Sequence, residues 1–180
     1  MQRFPITRRS FLGAAAVAGA INSAHAEDDF PDLSSVKPDL ALPPVSAGDP
    51  APGKRVRQTN PDYQATDVHH LLYLPRDWVR GRRYPVIVEY AGNGNYSNRF
   101  GDVSTGEVEG SKLGYGISGG NGFLWVCAPY VNRERTANEK TWWGDIEATA
   151  GYVRETVRLV CERYGGDRGF SDQLPDIHSR

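Results

Sequence analysis

Two stretches of this 180-residue chain have residue types and spacing that could do chemistry. The first is Gly92-Asn93-Gly94-Asn95, where the backbone can turn sharply and leave N–H groups bare. Fixed N–H donors stabilise the negative charge that develops on a tetrahedral intermediate, and losing one typically costs about 3 kcal/mol in barrier. Gly92, Asn93 and Gly94 are therefore the oxyanion candidates, although a plain tight turn would use the same residues. The second is Gly116-Ile117-Ser118-Gly119-Gly120, which satisfies the G-x-S-x-G pattern of a nucleophile elbow. An elbow needs a strand before it and a helix after it. Here Lys112-Leu113-Gly114-Tyr115 is no buried strand, and a strand follows, so Ser118 is expected to be a loop residue and no catalytic serine is assigned.

The other reactive side chains point to ordinary roles. His69 and His70 are adjacent on an expected strand, so they face opposite sides and cannot share a metal. Asp102, Ser104, Glu107 and Glu109 do not have EF-hand spacing and read as a solvated acidic loop. Gly92-Asn93-Gly94-Asn95-Tyr96-Ser97 approaches a dinucleotide fingerprint, but Ser97 replaces its third glycine. Trp142 and Trp143 could stack on a sugar or an aromatic acyl group, or simply cover a helix start. Cys127 and Cys161 are expected as two buried free thiols. No cofactor or metal is assigned, and His178 is given no role.

These residues need elements to hold them. Pro85–Tyr90, with Val86, Ile87 and Val88 in one apolar run, reads as an interior strand covered on both faces. A strand that ends in a Gly/Asn turn is where open α/β sheets place ligand chemistry. Val68–Leu74 and Gly122–Val131 read as two further strands. Residues 92–122 hold ten of the twenty glycines and show no helical period, so a long loop is expected. Thr141–Tyr164 is the clearest helix, with Ile146, Ala150, Val153, Val157, Val160, Cys161 and Tyr164 along one face, Thr141 as cap and Gly165-Gly166 as stop. Strand, loop, strand, helix is α/β grammar, here a mainly parallel sheet with a covering helix.

The sequence Tyr73-Leu-Pro-x-Asp-Trp78, then Arg83-Tyr-Pro-Val-Ile-Val-Glu-Tyr-Ala-Gly-Asn-Gly94, Gly122-Phe-Leu-Trp-Val-Cys-Ala-Pro-Tyr130 and Trp142-Trp-Gly-Asp145 resembles the N-terminal half of secreted α/β-hydrolase-fold esterases, over residues 67–167. The resemblance implies acyl transfer by a serine triad acting on a small ester, with an oxyanion donor from Gly92, Asn93 or Gly94. It also implies that the elbow lies on the strand after the Thr141 helix. Residues 168–180 contain no four consecutive strand formers, so the domain is expected to be incomplete and inactive alone. The other class of function the residues allow is a small module that binds a carbohydrate or similar ligand without catalysis.

The ends of the chain serve other purposes. Arg8, Arg9, Phe11 and Leu12 resemble a twin-arginine export signal, followed by an Ala/Gly-rich stretch too short for the ~20 residues of a bilayer span. Cleavage is expected after Ala26, delivering the protein to the periplasm or beyond. Without residues 1–26 the chain has 18 basic against 22 acidic residues, a net charge of −4 that gives no reason to expect nucleic acid or an anionic membrane as partner. Residues 27–62 carry seven of the twelve prolines and read as a tether or wrapping arm, which leaves 63–167 as the ordered domain and 168–180 as an irregular tail.

Overall fold

The computed structural model describes residues 35–37, 39–99, 103–142 and 144–167. The signal residues 1–26, Asp102, Trp143 and the tail with His178 lie outside the described residues. In chain order the elements are β1 (Val45–Ser46), β2 (Arg55–Gln58), β3 (His70–Tyr73), β4 (Val86–Tyr90), β5 (Tyr96–Ser97), β6 (Val103–Ser104), α1 (Leu113–Ser118), β7 (Leu124–Ala128), β8 (Tyr130–Val131), β9 (Asn138–Glu139) and α2 (Ile146–Tyr164).

Five of these strands form one sheet in the order β1-β2-β3-β7-β4. Strand β7 is interior, between β3 and β4; all five of its residues are apolar and all five are buried, so neither face nor edge can be left to water. Its alternate side chains feed two cores. Trp125 and Cys127 pack with Leu71, Tyr73, Val108 and Tyr115 on the face covered by α1 and the turn Val108–Gly110. Leu124 and Val126 pack with Leu72, Leu74 and Val160 on the face covered by α2. Cys127 and Cys161 thus sit on opposite sides of the sheet as buried free thiols.

The pairing differs from a mainly parallel sheet. β4 and β7 run parallel, as do β1 and β2, while β3 is antiparallel to both of its neighbours, β2 and β7. Strand β4 is not an interior rung either: among the described residues it pairs only with β7, and Val86 to Glu89 are half-buried. An unbroken apolar run looks the same whether a strand is central or waits at an edge for a neighbour. The proline-rich arm is also more than a tether. It supplies β1 and β2, with Val56 and Arg55 buried, so the folded unit reaches back beyond residue 63.

The glycine-rich stretch 92–122 holds β5, β6, the Val108–Gly110 turn and α1, where a structureless loop was expected. Helix α1 is too short to show a period. What stabilises it is Glu89, whose carboxylate accepts the N–H groups of Lys112 (3.1 Å), Leu113 (3.1 Å) and Gly114 (2.8 Å) and the Trp125 indole N–H (2.9 Å). Helix α2 starts five residues later than expected, because Asp145 is the cap and accepts from Ala148 N–H at 2.8 Å. Its inward face is rotated from the expected one. Ala148, Thr149, Tyr152, Val153, Thr156, Val160 and Cys161 are buried, whereas Ala150 is exposed and Ile146 is 84% exposed. Thr149 and Thr156 can face inward because Val131 N–H donates to one and the other donates to Tyr152 C=O.

After α2 the chain returns to the sheet beside β4. Gly166 bridges Tyr84 in parallel, with Tyr84 N–H donating to Gly165 C=O (2.9 Å) and Asp167 N–H to Tyr84 C=O (2.8 Å). Pro85 C=O and Ala91 N–H bond towards β7. By alternation the backbone groups of Val86, Val88 and Tyr90 face the outer edge, beyond that bridge.

Candidate functional site

The parallel pair ends at Tyr90 and Ala128, and the amino end of antiparallel β3 lies at the same level. Four segments converge there: the turn 91–95 after β4, the hairpin of β5 and β6, the loop 132–145 that contains β9, and His69 just before β3. This is the end of an α/β sheet at which ligand chemistry is expected.

The Gly92–Asn95 turn is fixed from behind. Gly94 N–H donates to Lys140 C=O at 2.7 Å, and Trp142 N–H donates to Asn93 Oδ1 at 3.3 Å. Gly94 and Gly106 both press against the Lys140 carbonyl, where a Cβ on either would overlap it, and Gly106 has φ +74° as well. Gly92 lies against Ser104, too close for a Cβ. Of the three oxyanion candidates, Gly94 therefore already has its N–H engaged. The N–H groups of Gly92 and Asn93 have no partner among the described residues.

On one side of this turn is a polar cleft of about 490 Å³, lined among others by Asp67, His69, Glu107, Glu109, Asn138 and Lys140. His69 Nε2 is 2.9 Å from Glu109 Oε1, and its Nδ1 is 2.8 Å from Asp67 C=O. Asn138 clamps the same residue, accepting from His69 N–H and donating to His69 C=O. Lys140 Nζ meets Glu107 at 2.6 Å, which holds the ammonium above its usual pKa range. These contacts engage Glu107 with Lys140 and Glu109 with His69. Among the described residues no group of three metal-ligating side chains occurs.

On the other side is an apolar recess of about 220 Å³, lined by Tyr90, Tyr130, Trp142, Gly144, Ile146, Thr149 and Ala150. Tyr90 and Tyr130 stack with ring centres 5.5 Å apart and planes 27° apart. Burial raises the pKa of both phenols. Trp142 is 63% exposed at its rim.

The remaining sequence candidates lie elsewhere. Ser118 is the last residue of α1, its Oγ donating to Tyr115 C=O (3.4 Å) and accepting from Gly120 N–H (3.1 Å). It precedes the amino end of β7, whereas Gly92 follows the carboxyl end of β4. Five strand residues at ~3.3 Å each put about 16 Å between those ends. His70 faces α2, with Nδ1 2.9 Å from the Tyr152 hydroxyl, and burial pushes its pKa down to about 3.

Three positioning residues were missed by sequence reasoning. Glu89 fastens α1. Glu109 pairs with a histidine forty residues away. Arg55, 2% exposed, donates to the carbonyls of Val108 (3.0 Å), Glu109 (3.1 Å) and Ser111 (3.0 Å) and lies 5.0 Å above the Trp125 ring. No short-range pattern could have flagged these, since every partner is more than twenty residues distant. The one available signal was the acidic Glu89 within an apolar strand.

The fold and this site define a mixed α/β protein with a loop cluster gathered at the carboxyl end of one parallel strand pair. No protein-family model matches the chain, and no curated protein or solved structure matches it either.

Proposed function

We propose that this chain is an exported α/β-hydrolase-like protein, related to serine esterases, which carries the oxyanion side of an acyl-transfer site and supplies no nucleophile from its described residues. One observation carries the reading. Among the described residues the N–H groups of Gly92 and Asn93 have no partner; they lie at the carboxyl end of β4, on a turn held by Lys140 and Trp142. A carbonyl oxygen that gains negative charge on attack would be stabilised there by donors that need not reorganise.

Two further features support it. The turn follows a parallel strand, where an oxyanion donor is expected beside a nucleophile elbow. Among the described residues no strand pairs with the outer edge of β4, and Gly166 and Asp167 return towards it from α2 in parallel. A strand added there would end beside Gly92, so a serine on its exit turn would face the unpartnered amides. Among the described residues no serine sits on a turn from strand into helix. Export rests on the Arg8-Arg9 signal with cleavage after Ala26, and among the described residues no helix is long and apolar enough to cross a membrane.

The test is turnover of 4-nitrophenyl acetate and butyrate by the purified mature chain, with a fluorophosphonate probe for reactive serines. The expected result is neither hydrolysis above background nor a labelled serine. Turnover abolished by Ser118→Ala would overturn it. The second reading, a ligand-binding module without catalysis, is favoured by the exposed Trp142 beside the stacked tyrosines. Glycan binding together with Gly92 and Asn93 amides that ignore anions would select it.

A further inference from the structure

We propose that the recess formed by Tyr90, Tyr130, Trp142 and Ile146 seats a single uncharged planar ring, an aryl group carried by the ester. The ester part of this statement rests on the acyl-transfer reading; the ring rests on the recess alone.

Size comes first. A cavity of about 220 Å³ is smaller than the ~300–1,000 Å³ of pockets that hold drug-sized ligands, and suits one ring. Charge comes second. None of the described residues lining it is charged, and burial raises the pKa of Tyr90 and Tyr130, keeping both phenols neutral at ordinary pH. An ionic ligand would lose its hydration there and find no counter-charge.

Shape and polarity then separate aryl from sugar. The two tyrosines stack on each other as one aromatic block, while Trp142 and Ile146 expose apolar surface at the rim. A ring between them would make the offset or edge contacts that aromatic groups prefer, with centres 4.5–7 Å apart. A pyranose would need hydrogen-bond partners for its hydroxyls. Among the described residues no amide or carboxylate side chain lines the recess, and the Thr149 hydroxyl already accepts from Val131 N–H at 2.9 Å. The location ties the ring to the ester carbonyl. Trp142 N–H is bonded to the Asn93 side chain, so the recess adjoins the turn that would hold the carbonyl oxygen.

The experiment is an NMR titration of the full mature chain with methyl cinnamate, methyl β-glucopyranoside and tetramethylammonium in parallel. Methyl cinnamate should shift the Trp142 indole N–H resonance, and the other two should not. Tyr130→Ala and Trp142→Ala should each weaken its binding about three- to tenfold, the range for losing one aromatic contact. Ile146→Glu puts an acidic residue at a helix start, where it is tolerated, yet sets a charge on the rim and should weaken binding as well. Trp78→Phe, at the opposite end of α2, should leave it unchanged. No Trp142 shift with methyl cinnamate, or tighter binding of the glucoside or the ammonium ion, overturns the inference. If methyl cinnamate binds while the Gly92 and Asn93 amides ignore anions, the recess stands and the acyl-transfer reading falls.

Discussion

At the scale of single residues, Glu89 does more than any other side chain to join the sheet to the site's surroundings. One carboxylate receives three backbone N–H groups at the start of α1 and the indole N–H of the most buried tryptophan. Glu89→Gln keeps the shape but removes the charge that makes these bonds strong. The expected loss is about 2–4 kcal/mol of unfolding free energy, measured by urea titration. Gly106→Ala meets the Lys140 carbonyl and an unfavourable φ together, and is expected to cost about 1–3 kcal/mol and displace the Gly92–Asn95 turn. His70 gives the protein an acid sensitivity. Its folded pKa is about 3 against an ordinary 6.5, so between these values the unfolded chain binds the proton more readily. The stability it confers is complete above pH 6.5 and is lost as pH falls towards 3, by up to about 1.4 kcal/mol per unit. Urea unfolding at pH 4, 5, 6 and 7 should show a flatter slope for His70→Gln.

At the scale of elements, the sequence announced what is continuous and apolar and concealed what is paired at a distance. Strands β3, β4 and β7 and helix α2 were legible because their apolar runs or 3.6-residue period are local. β2 was not: its Arg-Val-Arg-Gln lies in a proline-rich arm, and only pairing with β3 makes it a strand. Helix α1 was concealed too, since six residues with two glycines carry no helical signal without Glu89. The edge position of β4 could not be read either, but it can be tested. Ile87 N–H faces β7 and Val88 N–H faces outward. Ile87→Pro should therefore cost about 3 kcal/mol or more, while Val88→Pro removes no ladder bond and should cost less than half as much. Equal losses would mean that the outer edge of β4 is occupied.

At the scale of the whole molecule, the sheet gathers its polar and aromatic loops at one end, and the only G-x-S-x-G serine lies at the other. The Gly92 turn was legible as a candidate because glycine and asparagine after an apolar strand have few other uses. That the Gly94 N–H is engaged, and that those of Gly92 and Asn93 have no partner among the described residues, could not be read, because Lys140, which takes the Gly94 bond, is more than forty residues away. The His69–Glu109 cleft was invisible for the same reason. The central claim is that two amides at the carboxyl end of β4 are presented to a developing anion. Titration of the ¹⁵N-labelled mature chain with butyrate ion tests it most directly. The account expects the Gly92 and Asn93 N–H resonances to shift with saturable dependence while that of Gly94, bonded to Lys140 C=O, stays in place. Three unmoved resonances, or a Gly94 response equal to its neighbours', would contradict it.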